Sequence, residues 1–151
     1  MSPTFRAGVG IVVLDTRGWV LALERSTVPG GWQLPQGGIE DGEEPIEALW
    51  RELREETGLT ADDVEVIAEL PEWLGYELPA PYRSAKTGRG QVHKWFLLRA
   101  GADDLPVRTD TTPEAEFRAW RWVDLAELAE QTVAFRQPVY RRLAALVDGL
   151  G

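Results

Sequence analysis

Residues Gly37-Gly38-Ile39-Glu40-Asp41-Gly42-Glu43-Glu44-Pro45-Ile46-Glu47-Ala48-Leu49-Trp50-Arg51-Glu52-Leu53-Arg54-Glu55-Glu56-Thr57-Gly58-Leu59 carry most of what the chain says about its fold. Pro45 suits the first turn of a helix, where a missing N–H costs nothing. Gly58 suits the left-handed position just past the end, so the spacing predicts a helix over 45–57. Around that helix Ile46, Leu49, Trp50 and Leu53 fall within one arc of about 100° and form the expected buried stripe. Glu52, Glu55 and Glu56 fall on a neighbouring arc, with Ala48 one turn earlier, where a small side chain leaves room for a ligand. Three carboxylates at i, i+3 and i+4 repel one another, and they stand near the helix end where negative charge is disfavoured. Hard divalent cations account for the arrangement, because Mg²⁺ or Mn²⁺ takes oxygen ligands and several carboxylates can hold more than one ion. A solvated acidic face is the plain alternative.

Outward from this segment the chain reads as strands and helices in irregular alternation. Gly8 to Leu14 is apolar and rich in β-branched residues, a buried strand; Asp15 to Gly18 is turn chemistry; Trp19 to Leu23 returns as the second arm of a hairpin. Strands are also expected at Val64 to Leu70, Gln91 to Arg99 and Phe117 to Val123. In the last of these, Phe117, Ala119, Arg121 and Val123 fall on one side and Arg118, Trp120 and Trp122 on the other. Pro71 to Gly90, with Pro71, Pro79 and Pro81, reads as a loop, and Leu125 to Glu130 and Pro138 to Val147 read as helices. The pattern favours a mixed sheet covered by helices, an α/β fold in one domain over residues 1–151.

The chain of 151 residues has no cysteine, which excludes disulfides, thiolate metal sites and a cysteine nucleophile. No apolar run is long enough to span a membrane and residues 1–7 lack the signature of a signal peptide, so a cytoplasmic protein is expected. Twenty-five acids against 16 bases give −9, but the charge is uneven. Residues 37 to 59 hold eight acids and two bases. Residues 83 to 99 hold Arg83, Lys86, Arg89, Lys94 and Arg99 and no acid. An acidic segment beside a basic one suits a site that holds cations and receives a polyanion.

Gly37, Glu43, Arg51, Glu52, Leu53, Glu55, Glu56, Gly58 and Leu59 stand at the spacing G-x5-E-x7-R-E-U-x-E-E-x-G-U, where U is a bulky aliphatic. With these residues the sequence resembles the Nudix hydrolases over a box at 37–59. The resemblance implies an α/β/α sandwich in which the box forms a loop–helix–loop. It also implies hydrolysis, dependent on a divalent metal, of a nucleoside diphosphate linked to another group. Carried over, Glu52, Glu55 and Glu56 are metal ligands, Arg51 orients them by pairing with Glu43, and Gly37, Glu43 and Gly58 shape the box. The first choice of general base is Glu52, although base and ligand are not separable by sequence within so dense a cluster.

Further stretches resemble the bacterial RNA 5′-pyrophosphohydrolases and the plant-type dinucleoside tetraphosphate hydrolases. These are Phe5 to Ile11, Trp32 to Gly38, Trp73 to Pro79, Gly90 to Phe96, Trp120 to Val123 and Phe135 to Arg142. This second resemblance implies a fourth metal ligand ahead of the Trp-Arg-Trp strand. Spacing to Trp120 selects Glu116, with Glu114 the alternative. Lys94, Arg6 and Arg25 become phosphate candidates, and Tyr76 and Phe135 candidates for the nucleotide pocket, where an aromatic face can stack a base. His93, the single histidine, is expected to hydrogen-bond within its strand, and Trp32, Trp50, Trp95 and Trp122 to pack. The implied reaction is in-line attack by water on a phosphoanhydride of a (di)nucleoside polyphosphate or an RNA 5′ end, with Mg²⁺ or Mn²⁺ and more than one ion. No membrane and no obligate protein partner are implied. A non-catalytic nucleotide-binding domain and an enzyme for small nucleoside diphosphate derivatives are the alternatives.

Overall fold

Strand β1 (Phe5–Leu14) is apolar on both faces, as a strand between two layers of helix must be. Val9, Ile11 and Val13 bury on one side and Val12 on the other. The computed structural model describes residues 4–85 and 87–150, with Leu150 described by its backbone alone. Lys86, counted in the basic segment, lies outside the described residues, as do both chain ends of the expected 1–151 domain.

A tight turn joins β1 to β2 (Val20–Arg25): Asp15 Oδ1 accepts the N–H groups of Arg17 and Trp19 at 2.8 and 3.0 Å, and Gly18 takes φ +83°. The remaining strands are β3 (Trp32–Gln33), β4 (Gln36–Gly38), β5 (Val64–Glu77), β6 (Gly90–Ala100) and β7 (Phe117–Val123). They form one mixed sheet in the order β3-β2-β1-β6-β5, with β4 paired to β1 and β7 to β2. Among the described strands only β1 and β6 run parallel, in register from Phe5↔Gly90 to Leu14↔Arg99. Helix α1 (Pro45–Thr57) covers one face through Leu49 and Leu53, which pack on Ile11, Leu21, Leu23 and Phe96. Helices α2 (Leu125–Gln131) and α3 (Gln137–Leu150) cover the other, where Leu128, Tyr140 and Leu143 meet Val12, Trp95 and Leu97. The result is the expected α/β/α arrangement. Each fully buried aliphatic in these layers contributes about 2 kcal/mol of hydrophobic stabilisation before entropy is counted.

Strand β1 changes partners along its length. Gly8 to Gly10 pair with β4, Ile11 N–H donates to Pro35 O at 3.0 Å, and only Leu14 pairs with β2. The candidate site opens against the strands that part here.

Three expectations are corrected by the structure. The strand expected to stop at Leu70 runs on to Glu77, because β5 lies at the sheet edge and shifts register between Glu69 and Trp73, which accommodates a proline without an N–H to offer. In α1 the buried face is turned toward the acids: Ala48, Leu49, Leu53, Glu56 and Thr57 are buried, Ile46 is exposed and Trp50 is half-buried. Ala48 packs in the core and leaves no space for a ligand. In β7 a bulge opposite Glu24 and Arg25 reverses the alternation, so Phe117 shares the α1 face with Trp122 while Val123 joins the opposite core.

Candidate active site

Helix α1 begins where Glu47 Oε1 accepts the Glu44 N–H at 3.0 Å. It ends where Gly58, at φ +75°, returns its N–H to Arg54 O at 2.9 Å. These ends fix the register that sets the three carboxylates beside the core stripe, with Glu56 itself buried. Arg51 then ties helix to loop. Its Nε and Nη2 each lie 2.8 Å from one oxygen of Glu43, Nη2 also donates to Gly38 O at 2.7 Å, and Nη1 reaches Glu52 Oε1 at 2.7 Å. The Arg51 guanidinium holds the Glu43 carboxyl down at about 2. Gly37 is required by space rather than by backbone conformation: a Cβ there would stand 2.0 Å from Glu52 Cδ.

A cavity of about 360 Å³ lies over these groups. Glu52, Glu55 and Glu56 from α1 and Glu116 from the segment before β7 form one side. Arg6, Arg25 and Arg136, from three different segments, form another, and Gln33, Gln36, Gln91 and His93 complete the wall. Arg25 Nη1 and Glu116 Oε1 are 3.4 Å apart. Burial, with Glu116 and Glu52 facing it, pushes the Glu56 carboxyl well above its ordinary range. Burial also raises Glu52, although Arg51 opposes the rise. Glu114 borders a smaller acidic recess with Thr109 and Thr112, and Glu116 borders both spaces.

The donor set suits a hard divalent ion. Among the described residues no three acidic or imidazole groups are already gathered as metal ligands. Yet Glu52, Glu55, Glu56 and Glu116 line one cavity, and the charges of Glu116 and Glu52 bear on the buried Glu56. Carboxylates that face one another in this way are relieved either by a proton or by a divalent cation.

A second cavity of similar size adjoins the first and shares Arg25, Gln91 and Arg136 with it. Its own wall is apolar and aromatic: Val28, Trp32, Leu78, Tyr82, Val133 and Phe135. Tyr82 is 60% exposed, and its ring centre lies 5.8 Å from that of Phe135. The Arg121 guanidinium covers Trp32 at 4.1 Å.

The structure thus brings Glu52, Glu55, Glu56, Glu116, Arg6 and Arg25 together, with Arg51, Glu43 and Gly37 supporting them and Phe135 in the adjoining space. It leaves two candidates outside. Lys94 lies on the other face of β6 from Gln91 and His93, where its Nζ donates to Pro71 O at 3.4 Å beside Trp73. Tyr76 is buried and lines neither cavity; its ring supports Phe135 at 5.1 Å and its hydroxyl donates to Gln91 Oε1 at 2.8 Å. The described residues of the basic segment do not supply the cavity's cations. Arg83 and Arg89 pair with Glu77, and the three guanidiniums come from residues 6, 25 and 136. His93 is not a strand hydrogen-bonder: it is 2% exposed, lines the cavity, and its Nδ1 has no partner. Trp32 lines a pocket as well as packing. Arg136, Gln36 and Gln91 were not singled out from the sequence, although Arg136 follows Phe135 and Gln36 precedes Gly37 in stretches that carry the resemblance.

Residues 4–143 match the family model described as NUDIX domain. The chain is 46% identical to an RNA pyrophosphohydrolase of Pseudomonas paraeruginosa, over 93% of this chain and 90% of that one. It is 38% identical to Nudix hydrolase 25 of Arabidopsis thaliana, over 95% and 86%. Among solved structures, an Ap4A hydrolase binary complex from C. elegans superposes with a TM-score of 0.71 at 23% identity, covering 95% of this chain and 98% of that one.

Proposed function

Because the chain belongs to the NUDIX domain family, we propose that it is a pyrophosphohydrolase that removes phosphate from the 5′ end of polyphosphorylated RNA and cleaves (di)nucleoside polyphosphates. The observation that carries this reading is the pair of joined cavities. One sets carboxylates against three guanidiniums, as a metal-bridged polyphosphate requires. The next is aromatic and shares Arg25, Gln91 and Arg136 with it, as a substrate with a base beyond its phosphates requires.

Nudix hydrolases generally use divalent metals. Glu52, Glu55, Glu56 and Glu116 would hold one or more Mg²⁺ or Mn²⁺ ions, which when bound neutralise phosphate oxygens and acidify a water. The chain's own residues do the rest. Arg6, Arg25 and Arg136 bind and align the phosphates. Glu52, fixed by Arg51, accepts the proton of the attacking water. The water oxygen bonds to phosphorus in line as the bridging P–O bond breaks, and the leaving group, phosphate or pyrophosphate from an RNA 5′ end or a nucleotide from a dinucleoside polyphosphate, carries that electron pair away. Phe135 and Tyr82 offer faces for a base. Lys94, off the cavity, has no part in this account.

The test compares kcat/KM for diadenosine tetraphosphate and for a short 5′-triphosphate RNA at one Mg²⁺ concentration and one salt. Turnover of either, lost on chelation, is the expected result. Turnover of neither, with a preference for small sugar-linked nucleoside diphosphates, contradicts the substrate class.

A further inference from the structure

Arg6, Arg25 and Arg136 line the polyphosphate cavity, but they are not equivalent. Among the described residues only Arg25 of the three is paired with a carboxylate. That carboxylate is Glu116, one of the four acids assigned above to the metal. Arg25 Nη1 lies 3.4 Å from Glu116 Oε1 and 3.4 Å from Gln33 Oε1. A guanidinium Nη carries two hydrogens, so both donors of this nitrogen are engaged within the protein.

The backbone holds the pair together. Arg25 ends β2 opposite Phe117, the neighbour of Glu116, where the register of β2 and β7 shifts. One residue further on, the Ser26 N–H donates to Glu116 O at 2.9 Å and Ser26 Oγ to Ala115 O at 3.0 Å. Toward β3 the Arg25 N–H donates to Gly31 O at 3.1 Å. The two residues therefore part only through their side chains. Gln33 is buried and gives Arg25 a fixed support, whereas the Glu116 side chain is more than half exposed and has room to turn. Glu116 also borders both the cavity and the smaller acidic recess, and Arg25 borders both the polyphosphate and the aromatic space.

We propose that Arg25 and Glu116 form an exchange pair that couples metal binding to polyphosphate binding: Glu116 engages Arg25 until a divalent ion takes its carboxylate, and the freed guanidinium then meets phosphate. The inference rests on the hydrolase reading above. An exposed ion pair of this length is weak, so a divalent ion displaces it readily. Arg25, kept by Gln33, stays over the cavity and offers its free donor to an anion. By linkage, metal and polyphosphate then strengthen each other's binding beyond their direct attraction.

Calorimetric Mg²⁺ titration of the chelator-treated, polyphosphate-free protein tests the exchange, with thermal melts as a control on folding. Arg25→Met tightens Mg²⁺ binding by about threefold to fivefold, because nothing competes for Glu116. Arg6→Met removes an equal charge from the same cavity and changes the affinity by less than about twofold, as does Arg25→Met in a Glu116→Gln background. The second titration uses inorganic tripolyphosphate without metal: Glu116→Gln tightens its binding more in the wild-type background than in the Arg25→Met background. An Arg25→Met protein that binds Mg²⁺ no better than the wild type overturns the proposal. So does tightening that Arg6→Met matches or that persists without the Glu116 charge, and so does an equal response of tripolyphosphate binding in both backgrounds. A wild type that shows the full pattern yet hydrolyses no polyphosphate overturns the hydrolase reading instead, so the two failures are distinct.

Discussion

Arg51 grips both carboxylate oxygens of Glu43, Nε to Oε2 and Nη2 to Oε1, each at 2.8 Å. The pair is largely shielded from solvent, and the same guanidinium continues to Glu52 and to the Gly38 carbonyl. A helix and a loop are thereby locked together beside Glu52, one of the carboxylates that line the cavity. Lysine cannot reproduce this, because a compact ammonium lacks the planar fork. Arg51→Lys is expected to lower kcat/KM by about 10- to 100-fold, and to lower the melting temperature by a few degrees, as read by steady-state kinetics and a thermal melt. Unchanged kinetics would show that Glu52 holds its place without Arg51.

Gly37 yields to Glu52 for want of space. An added methyl would stand 2.0 Å from the carboxylate carbon, and β4, paired to β1 at Val9↔Gly37, has little freedom to retreat. Gly37→Ala should cost at least about 100-fold in kcat, because displacing a positioned group by about 1 Å costs that much. Gly18 offers the contrast. At φ +83° with nothing within 4 Å, Gly18→Ala strains the turn by about 1 kcal/mol and leaves activity untouched. Paired melts and assays of the two variants separate crowding from backbone strain.

Burial, with Arg136 and Arg6 both facing it, pushes the His93 imidazole down to about 3. Tyr76 and Trp95 flank the ring and offer it no counter-charge. The unfolded chain takes up a proton near pH 6.5, which the folded chain refuses until about 3. Between those values the unfolded state binds more protons, so stability falls as pH falls, by at most about 1.4 kcal/mol per pH unit from this group. Above pH 6.5 the contribution is flat. Denaturant melts at pH 7.5, 5.5 and 4.5 should show a gentler decline for His93→Gln than for the wild type; parallel declines would contradict the assignment.

Arg136 borders both cavities, with its guanidinium 5.0 Å from the Phe135 ring, whereas Lys94 faces the other side of β6. Arg136→Ala is expected to raise KM by about tenfold or more, the loss of a charge-assisted phosphate contact, and Lys94→Ala to change it less than about twofold. The reverse ranking would restore the basic strand as the phosphate-binding element.

Which parts of this were legible in the sequence follows from the range of the interactions. The helix over 45–57 and its αL glycine were readable because capping is local, and the spacing of Glu52, Glu55 and Glu56 put them on one arc without any tertiary knowledge. The rotation of that arc toward the core was not, since Ala48 and Glu56 are buried by the approach of α1 to β1 and β4. Likewise Arg6, Arg25 and Arg136 converge from segments far apart in the chain, while Lys94 and Arg99 fall on opposite faces of β6 and Arg83 and Arg89 pair with Glu77. Proline in β5 marked a loop by its chemistry, yet the sheet edge has no use for the missing N–H.

The central claim is that the buried carboxylates of α1 hold a divalent ion for phosphoanhydride hydrolysis. Glu56→Gln tests it most directly, being isosteric and removing only the charge that the ion needs. The measurement is Mg²⁺-dependent release of phosphate or pyrophosphate from a 5′-triphosphate RNA and of nucleoside tri- and monophosphate from diadenosine tetraphosphate, with a thermal melt of the same samples. The account predicts a loss of at least about 100-fold in kcat with the melting temperature unchanged or raised. A Glu56→Gln enzyme within tenfold of the wild type, still dependent on Mg²⁺, would contradict it.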